Sequence, residues 1–302
     1  MQRQVELIGA AWGLGGADPG CAEAPAALAP LLAQRLEACG VPSVPGPMLR
    51  AMPAERRKQF AVSKLCGLLA SAVADACRRQ RLPCVLGGDH SCAGGTWSGV
   101  ARTMQGNLGL LWIDAHMDSH TPGTSHSGRL HGMPLAWLLG QDDDPLYGLA
   151  TGVLQPQHVC IIGVRSFEPE EEERLERLGV RVYHFAEVKK RGLPIVFSEA
   201  LAIVTSGTER FGVSIDLDVI TPKEVPHVGT PVADGLASAA LARELERLAA
   251  NPGLAAIELV EYSPKQDRDG SSARVAVDLL AAALCGSRSR EKPQVVADAL
   301  RR

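Results

Sequence analysis

Aromatic residues are scarce in this 302-residue chain, at 4% of the sequence. So few rings leave little for the stacking platforms that hold single-stranded nucleic acid. A surplus of charge is absent as well: 31 Lys and Arg against 34 Asp and Glu leave a formal net charge of −3. A near-neutral chain has no electrostatic footprint for nucleic acid or an anionic membrane surface, so neither is expected as a partner. No run reaches the roughly 18 apolar residues that a membrane span needs. There is no internal repeat, no low-complexity block and no linker. The eight cysteines (Cys21, Cys39, Cys66, Cys77, Cys84, Cys92, Cys160 and Cys285) are scattered without a C-x-x-C pair. That leaves a zinc knuckle or a thioredoxin-type site unsupported. They read as free buried thiols of a reducing cytosol, so a cytoplasmic protein is expected. Leu7 to Ala17 is uncharged but carries four glycines. It reads as a first strand running into a glycine loop rather than as a secretory signal.

What is present is an ordinary globular balance, 46% apolar and 22% charged residues. Short apolar runs bounded by Gly, Asp or Pro predict buried strands at Val5–Gly9, Cys84–Leu86, Leu108–Ile113, Val159–Gly163, Val180–Tyr183, Phe211–Ile215 and Ile257–Val260. Helices are expected between them, at Ala22–Ala38, Ala54–Gln80, Leu130–Leu139, Pro169–Leu178, Leu193–Val204, Leu236–Ala250 and Ser272–Leu284. Strand alternating with helix predicts an α/β fold with three layers, α/β/α, around a mostly parallel central sheet. One domain over 1–302 is expected, with 285–302 a basic tail that is either mobile or docked on a neighbour. The acidic run Glu170 to Glu173 reads as a helix start favoured by the helix dipole.

Three strands run into residues that can ligate a metal: Gly87-Gly-Asp-His90-Ser, Asp114-Ala-His116-Met-Asp118 and Ser214-Ile-Asp216-Leu-Asp218. In open α/β sheets, ligands bind outside the carboxyl ends of strands. Residues two apart on an extended segment point to the same side, so Asp114, His116 and Asp118 can converge, as can Asp216 and Asp218. His90 adds a nitrogen from a neighbouring strand. Four carboxylates and two imidazoles suit borderline divalent ions such as Mn²⁺. Six ligands are too many for one closed zinc site and fit two ions if Asp114 and Asp216 bridge. The resulting charge favours a cationic substrate.

These motifs together resemble those of the ureohydrolases, the arginase and agmatinase family, over nearly the whole chain. The run Thr121-Pro-Gly-Thr124-Ser-His-Ser127-Gly-Arg129-Leu-His131-Gly-Met-Pro134 is similar to the arginase version of the loop after the second motif. The resemblance implies an arginase-like fold and two Mn²⁺ ions per chain, other divalent ions being possible. One ion would be held by His90, Asp114, Asp118 and Asp216, the other by Asp114, His116, Asp216 and Asp218. It implies hydrolysis of a guanidinium, most closely that of L-arginine to L-ornithine and urea, by a hydroxide bridging the metals. Asp118 would accept a hydrogen bond from that hydroxide and pass its proton on. His131 would act as acid or proton shuttle, as its near-neutral pKa allows. Glu261 would bind the guanidinium, a carboxylate suited to bidentate pairing. Glu258 is its competitor but would face away on an extended strand.

For the amino-acid end of the substrate, the resemblance implies Ser127 and, more weakly, Thr124 as contacts to the carboxylate. Here the chain departs from the arginase pattern. His120 and Arg129 stand where asparagine is usual. Ser166 and Glu168 stand where a pair of aspartates reaches the α-amino group, and Ser263 replaces an asparagine after Glu261. Glu168 could still pair with an ammonium, His120 could bond a carboxylate, and Arg129 would suit an acidic tail. The alternatives are another guanidino-acid hydrolase, an agmatinase or a formimidoylglutamase, a non-catalytic metal-binding or regulatory homologue, or a single-zinc deacetylase-like amidohydrolase. The family is often trimeric or hexameric, so a homo-oligomer acting on a small guanidino molecule is expected.

Overall fold

Eight apolar segments lie side by side in a computed structural model that describes residues 3–51, 58–141 and 152–290. They are β1 (Val5–Ala11), β2 (Ser43–Arg50), β3 (Leu82–Gly87), β4 (Leu108–Ile113), β5 (Val159–Val164), β6 (Arg181–His184), β7 (Arg210–Asp216) and β8 (Leu254–Val260). They form one sheet in the order β2-β1-β3-β8-β7-β4-β5-β6, and every pairing is parallel. β1, β3, β4, β5 and β8 are buried along their whole length, as a sheet covered on both faces requires.

The alternation of the strands divides the core. Leu111, Ile113, Val213, Ile215, Ile257 and Leu259 face one side with α1 (Ala24–Ala38), α7 (Leu193–Thr205), α8 (Ser238–Leu245) and α9 (Ser271–Cys285). Leu110, Trp112, Ala256 and Val260 face the other with α2 (Lys58–Arg78), α3 (Ala93–Ala101), α4 (Pro134–Leu138) and α5 (Pro169–Leu178). The period of two puts Ser214 and Glu258 on this second face, a fact the site uses.

Three elements were not expected from the sequence. β2 contains Pro45 and Pro47, which a strand tolerates at the edge it occupies here. α3 carries three glycines that lower its intrinsic helicity. Packing decides instead: a Cβ on Gly95 or Gly99 would come within 2.7 or 2.6 Å of the α2 backbone carbonyls of Cys66 and Ala70. α6 (Phe185–Arg191) is a short helix directly after β6. Elsewhere helices are shorter than expected. The Leu130–Leu139 stretch is a 3₁₀ turn followed by α4, and α8 ends in a 3₁₀ turn at Glu246–Leu248.

No unbroken apolar run of the length a membrane span needs appears among the described residues, where α2 is the one helix whose length and composition alone would allow a crossing. Of its apolar window, 56% is buried inside the protein. Residues 54–57 of the helix expected there, and 291–302 of the expected tail, lie outside the described residues. The part of the tail that is described docks on its own chain. Gly286–Arg290 forms a 3₁₀ turn, with Ser289 buried and Arg290 paired to Glu246.

Candidate metal and active site

After β3 the chain turns at Asp89, whose carboxylate caps the following turn by accepting the Ser91 N–H at 3.0 Å. It also ties down the glycine loop after β1 by accepting the Gly15 N–H at 2.8 Å. This fixes His90, which is fully buried and stacks on Trp112 with centroids 4.2 Å apart. Its Nε2 lies 2.9 Å from Ser214 Oγ, and that hydroxyl donates to Glu258 Oε1 at 2.8 Å. Glu258 also accepts from the Thr96 hydroxyl and the Cys92 thiol. Three donors on one buried carboxylate assign Ser214 as a donor to it, and therefore the proton of His90 to Nε2. The bare Nδ1 is left facing the centre of the site.

That nitrogen lies 2.9 Å from Asp118 Oδ2 and 3.2 Å from Oδ2 of both Asp114 and Asp216. It is buried and makes no hydrogen bond to any of them. A second group adjoins the first. His116 Nδ1 stands 3.0 Å from Asp218 Oδ2 and 3.6 Å from Asp114 Oδ1. Asp114 thus turns one oxygen to each group, while accepting from Trp112 Nε1 at 2.8 Å and the His116 N–H at 2.7 Å. Asp216 accepts the Asp218 N–H at 2.9 Å.

Burial, with Asp218 and Asp114 alongside, pushes the Asp216 carboxyl well above its ordinary range. Burial and Asp114 together push Asp118 up to about 6. Against burial, the neighbouring His116 holds Asp114 far below the usual carboxylate range. Four buried carboxylates around two imidazoles are mutually repulsive unless a cation joins them. The orphaned lone pair of His90 and the oxygen-rich donor set therefore fit divalent ions, in two adjoining groups that share Asp114.

On the far side of His90 sits Glu261, whose N–H donates to Gly88 O at 2.8 Å. Its Oε1 accepts the His90 backbone N–H at 2.9 Å and faces His131 Nδ1 at 2.9 Å. Gly229 stands so close to Oε2 that a Cβ there would approach to 2.0 Å. Burial opposes charge on His131, but the Glu261 carboxylate outweighs it and pushes the imidazole up to about 9. Burial likewise opposes the Glu261 carboxylate, and the paired His131 holds its pKa below the ordinary value. Asp118 and Glu261 share a backbone feature: φ is 47° and 66°, left-handed conformations that side-chain-bearing residues rarely keep. Such strain persists where the surrounding structure over-determines it, and it clusters at functional sites.

A cavity of about 230 Å³ opens over these groups, lined among others by His116, Asp118, His120, His131, Glu168 and Thr230. Ser127 and Arg129 reach its wall and are exposed, and the Ser127 hydroxyl accepts the Arg129 N–H at 3.2 Å. Thr124 is not in the wall. It stands behind His120, its Oγ1 3.2 Å from His120 Nδ1. His120 Nε2 lies 2.9 Å from Glu168 Oε2 and 3.3 Å from Glu171 Oε2. Glu168 is thereby held by a neighbour while it caps α5 in a reciprocal capping box with Glu171.

Sequence reasoning treated Glu171 as one more acidic residue of a helix start. It is buried, accepts the Ser119 N–H at 3.0 Å, and burial pushes its carboxyl up to about 8. Its position three residues after Glu168 is the capping-box spacing, which was the available signal. Glu258 and Ser214 carried no such signal as supports of His90, because their partners come from other strands.

The Arginase family model matches residues 3–286. An arginase of Brevibacillus brevis is 42% identical over 214 residues, covering 70% of this chain and 72% of its own. An arginase of Bacillus caldovelox is 39% identical over 226 residues, covering 74% and 75%. The solved native structure of the Bacillus caldovelox arginase superposes with a TM-score of 0.89 at 34% identity, over 95% of this chain and 99% of that one.

Proposed function

The chain belongs to the arginase family, and from that premise we propose that it hydrolyses L-arginine to L-ornithine and urea. The observation that carries this is the pair of adjoining carboxylate–imidazole groups sharing Asp114, with the His131–Glu261 pair beside them.

His90, Asp114, Asp118 and Asp216 would hold one manganese ion, and Asp114, His116, Asp216 and Asp218 a second. Divalent ions there lower the pKa of a water into the range where hydroxide exists near neutral pH. The chain's own residues do the rest. Glu261 offers a buried carboxylate that pairs with and orients the guanidinium. Asp118 takes the proton of the attacking water. Oxygen adds to the guanidinium carbon, the bond from that carbon to the alkyl nitrogen breaks, and the amine leaves with a proton from Asp118 or His131. The imidazolium that Glu261 favours is the form that can give that proton. Ser127, Arg129, His120 and Glu168 meet the amino-acid end, with Thr124 holding His120 in place.

A single domain, a cytoplasmic location and a trimeric or hexameric homo-oligomer complete the proposal. Eight free cysteines, seven of them buried, support a reducing compartment. A second reading is favoured by one contact: Glu168 is already paired with His120, which suits a guanidino acid without an α-amino group. Both readings are tested by product analysis of manganese-loaded protein on L-arginine, agmatine, 4-guanidinobutyrate, 3-guanidinopropionate and formiminoglutamate. Urea and ornithine from L-arginine are expected. Turnover of another member with arginine inert would move the substrate, and silence across the panel would leave a binding or regulatory role.

A further inference from the structure

At the amino ends of the strands, opposite the metal site, the chain gathers arginines around a cavity of about 770 Å³. Its wall includes Arg3 before β1, Arg78, Arg79 and Arg81 at the end of α2, Arg102 after α3, and Arg210 at the start of β7. Ordinary structural needs account for part of this. Arginines near helix C-termini are favoured by the dipole. Arg79 and Arg81 also pair with buried Glu6, and Arg78 with Asp75.

Arg3, Arg102 and Arg210 are different: among the described residues no carboxylate pairs with any of them. Glu209, the only acid among the lining residues, has its Oε2 committed to the N–H groups of Gln105 and Gly106 at 3.0 and 2.8 Å. Burial and the like charge of Arg210 depress the Arg3 pKa, so these two guanidinium groups repel each other. A chain that is neutral to within three charges thus concentrates positive charge in one concave place. Low-dielectric walls focus such a field, and guanidinium groups match oxyanions bidentately.

We propose that this cavity binds a small polyanion bearing phosphoryl groups, of diphosphate to nucleotide size. A volume of several hundred cubic ångströms is in the range of small-molecule sites. The site is separate from the metal centre. β7 carries Arg210 at one end and Asp216 at the other, about 20 Å apart at the rise of a strand. Occupancy would relieve the Arg3–Arg210 repulsion and brace the start of the strand that ends in Asp216 and Asp218.

Calorimetric titration of the manganese-loaded protein with inorganic pyrophosphate, at low ionic strength, tests this. Pyrophosphate also chelates manganese, so the variants Arg102→Ala and Arg210→Ala, both at exposed positions, are titrated in parallel. Saturable binding of one pyrophosphate per chain is expected, weakened about tenfold or more in each variant and by added salt, with guanidine hydrolysis of the variants unchanged. Arms with inorganic phosphate, ATP and citrate then tell a single phosphate, a nucleotide and a carboxylate apart. Citrate binding tighter than pyrophosphate would overturn the phosphoryl assignment. Heat identical in wild type and both variants, reporting chelation alone, or no saturable binding, would overturn the site.

Discussion

His131 Nδ1 stands 2.9 Å from Glu261 Oε1, and the same oxygen receives the backbone N–H of His90 at 2.9 Å. One buried carboxylate therefore holds both the loop imidazole and the backbone of His90. His131→Asn removes the proposed proton donor and keeps much of the bulk. It is expected to lower kcat by about 10²- to 10⁴-fold with metal content unchanged. Glu261→Gln is expected to cost as much and to raise KM for the guanidinium as well. Steady-state kinetics with metal analysis checks both. Wild-type kcat in His131→Asn would remove His131 from the chemistry.

The same pair gives a pH signature. The His131 pKa is raised from 6.5 to about 9, so its stabilisation is fully present below the unfolded value and is lost as pH rises through the folded one. The lowered Glu261 pKa adds stability above the ordinary carboxylate range, lost on acidification. In metal-free protein, the stability difference between wild type and His131→Asn is expected to be on the order of 3 kcal/mol near pH 6. It should shrink progressively between pH 6.5 and about 9, as denaturant titrations across that range would show. A difference that grows with pH would contradict the pairing.

Ser214 and Glu258 aim His90 without facing the metal position themselves. Ser214→Ala or Glu258→Gln is expected to weaken manganese affinity about 10- to 100-fold, since partners of this kind fix tautomer and ring orientation. Competition with a calibrated chelator reads this directly. Affinity unchanged in both variants would show that stacking on Trp112 positions the ring alone.

Metal binding and protons are linked at Asp118, raised to about 6 by burial and Asp114. A cation needs this carboxylate ionised, as it needs that of Asp216, which burial also raises, so affinity should fall as pH drops through about 6. Removing the ions with chelator should lower Tm, because the buried carboxylates lose their counter-charge. A Tm indifferent to chelator would contradict an occupied site.

Much of this was legible in the sequence, for identifiable reasons. The seven expected strands are apolar runs with sharp polar ends, such as Leu108–Ile113 before Asp114, and burial on both faces makes those runs unmistakable. The six residues expected to hold metal follow three of these runs, so their neighbourhood was legible, although Asp118 is left-handed and Asp218 lies in a 3₁₀ turn rather than on an extended segment. What escaped depends on contacts between distant segments. β2 is a strand because β1 offers an edge, not because Ser43–Arg50 favours one. Glu258 supports His90 only because parallel pairing sets it beside Ser214. His120 could be placed near the substrate's amino-acid end, but its bond to Glu168 depends on how the loop meets α5.

The measurement closest to the central claim is urea and ornithine formation from L-arginine as manganese is titrated into metal-free protein. Activity should rise to a plateau near two ions per chain, as a site built on two groups sharing Asp114 requires, and Asp118→Asn should abolish it. A plateau at one ion, or full activity without metal, would contradict the account.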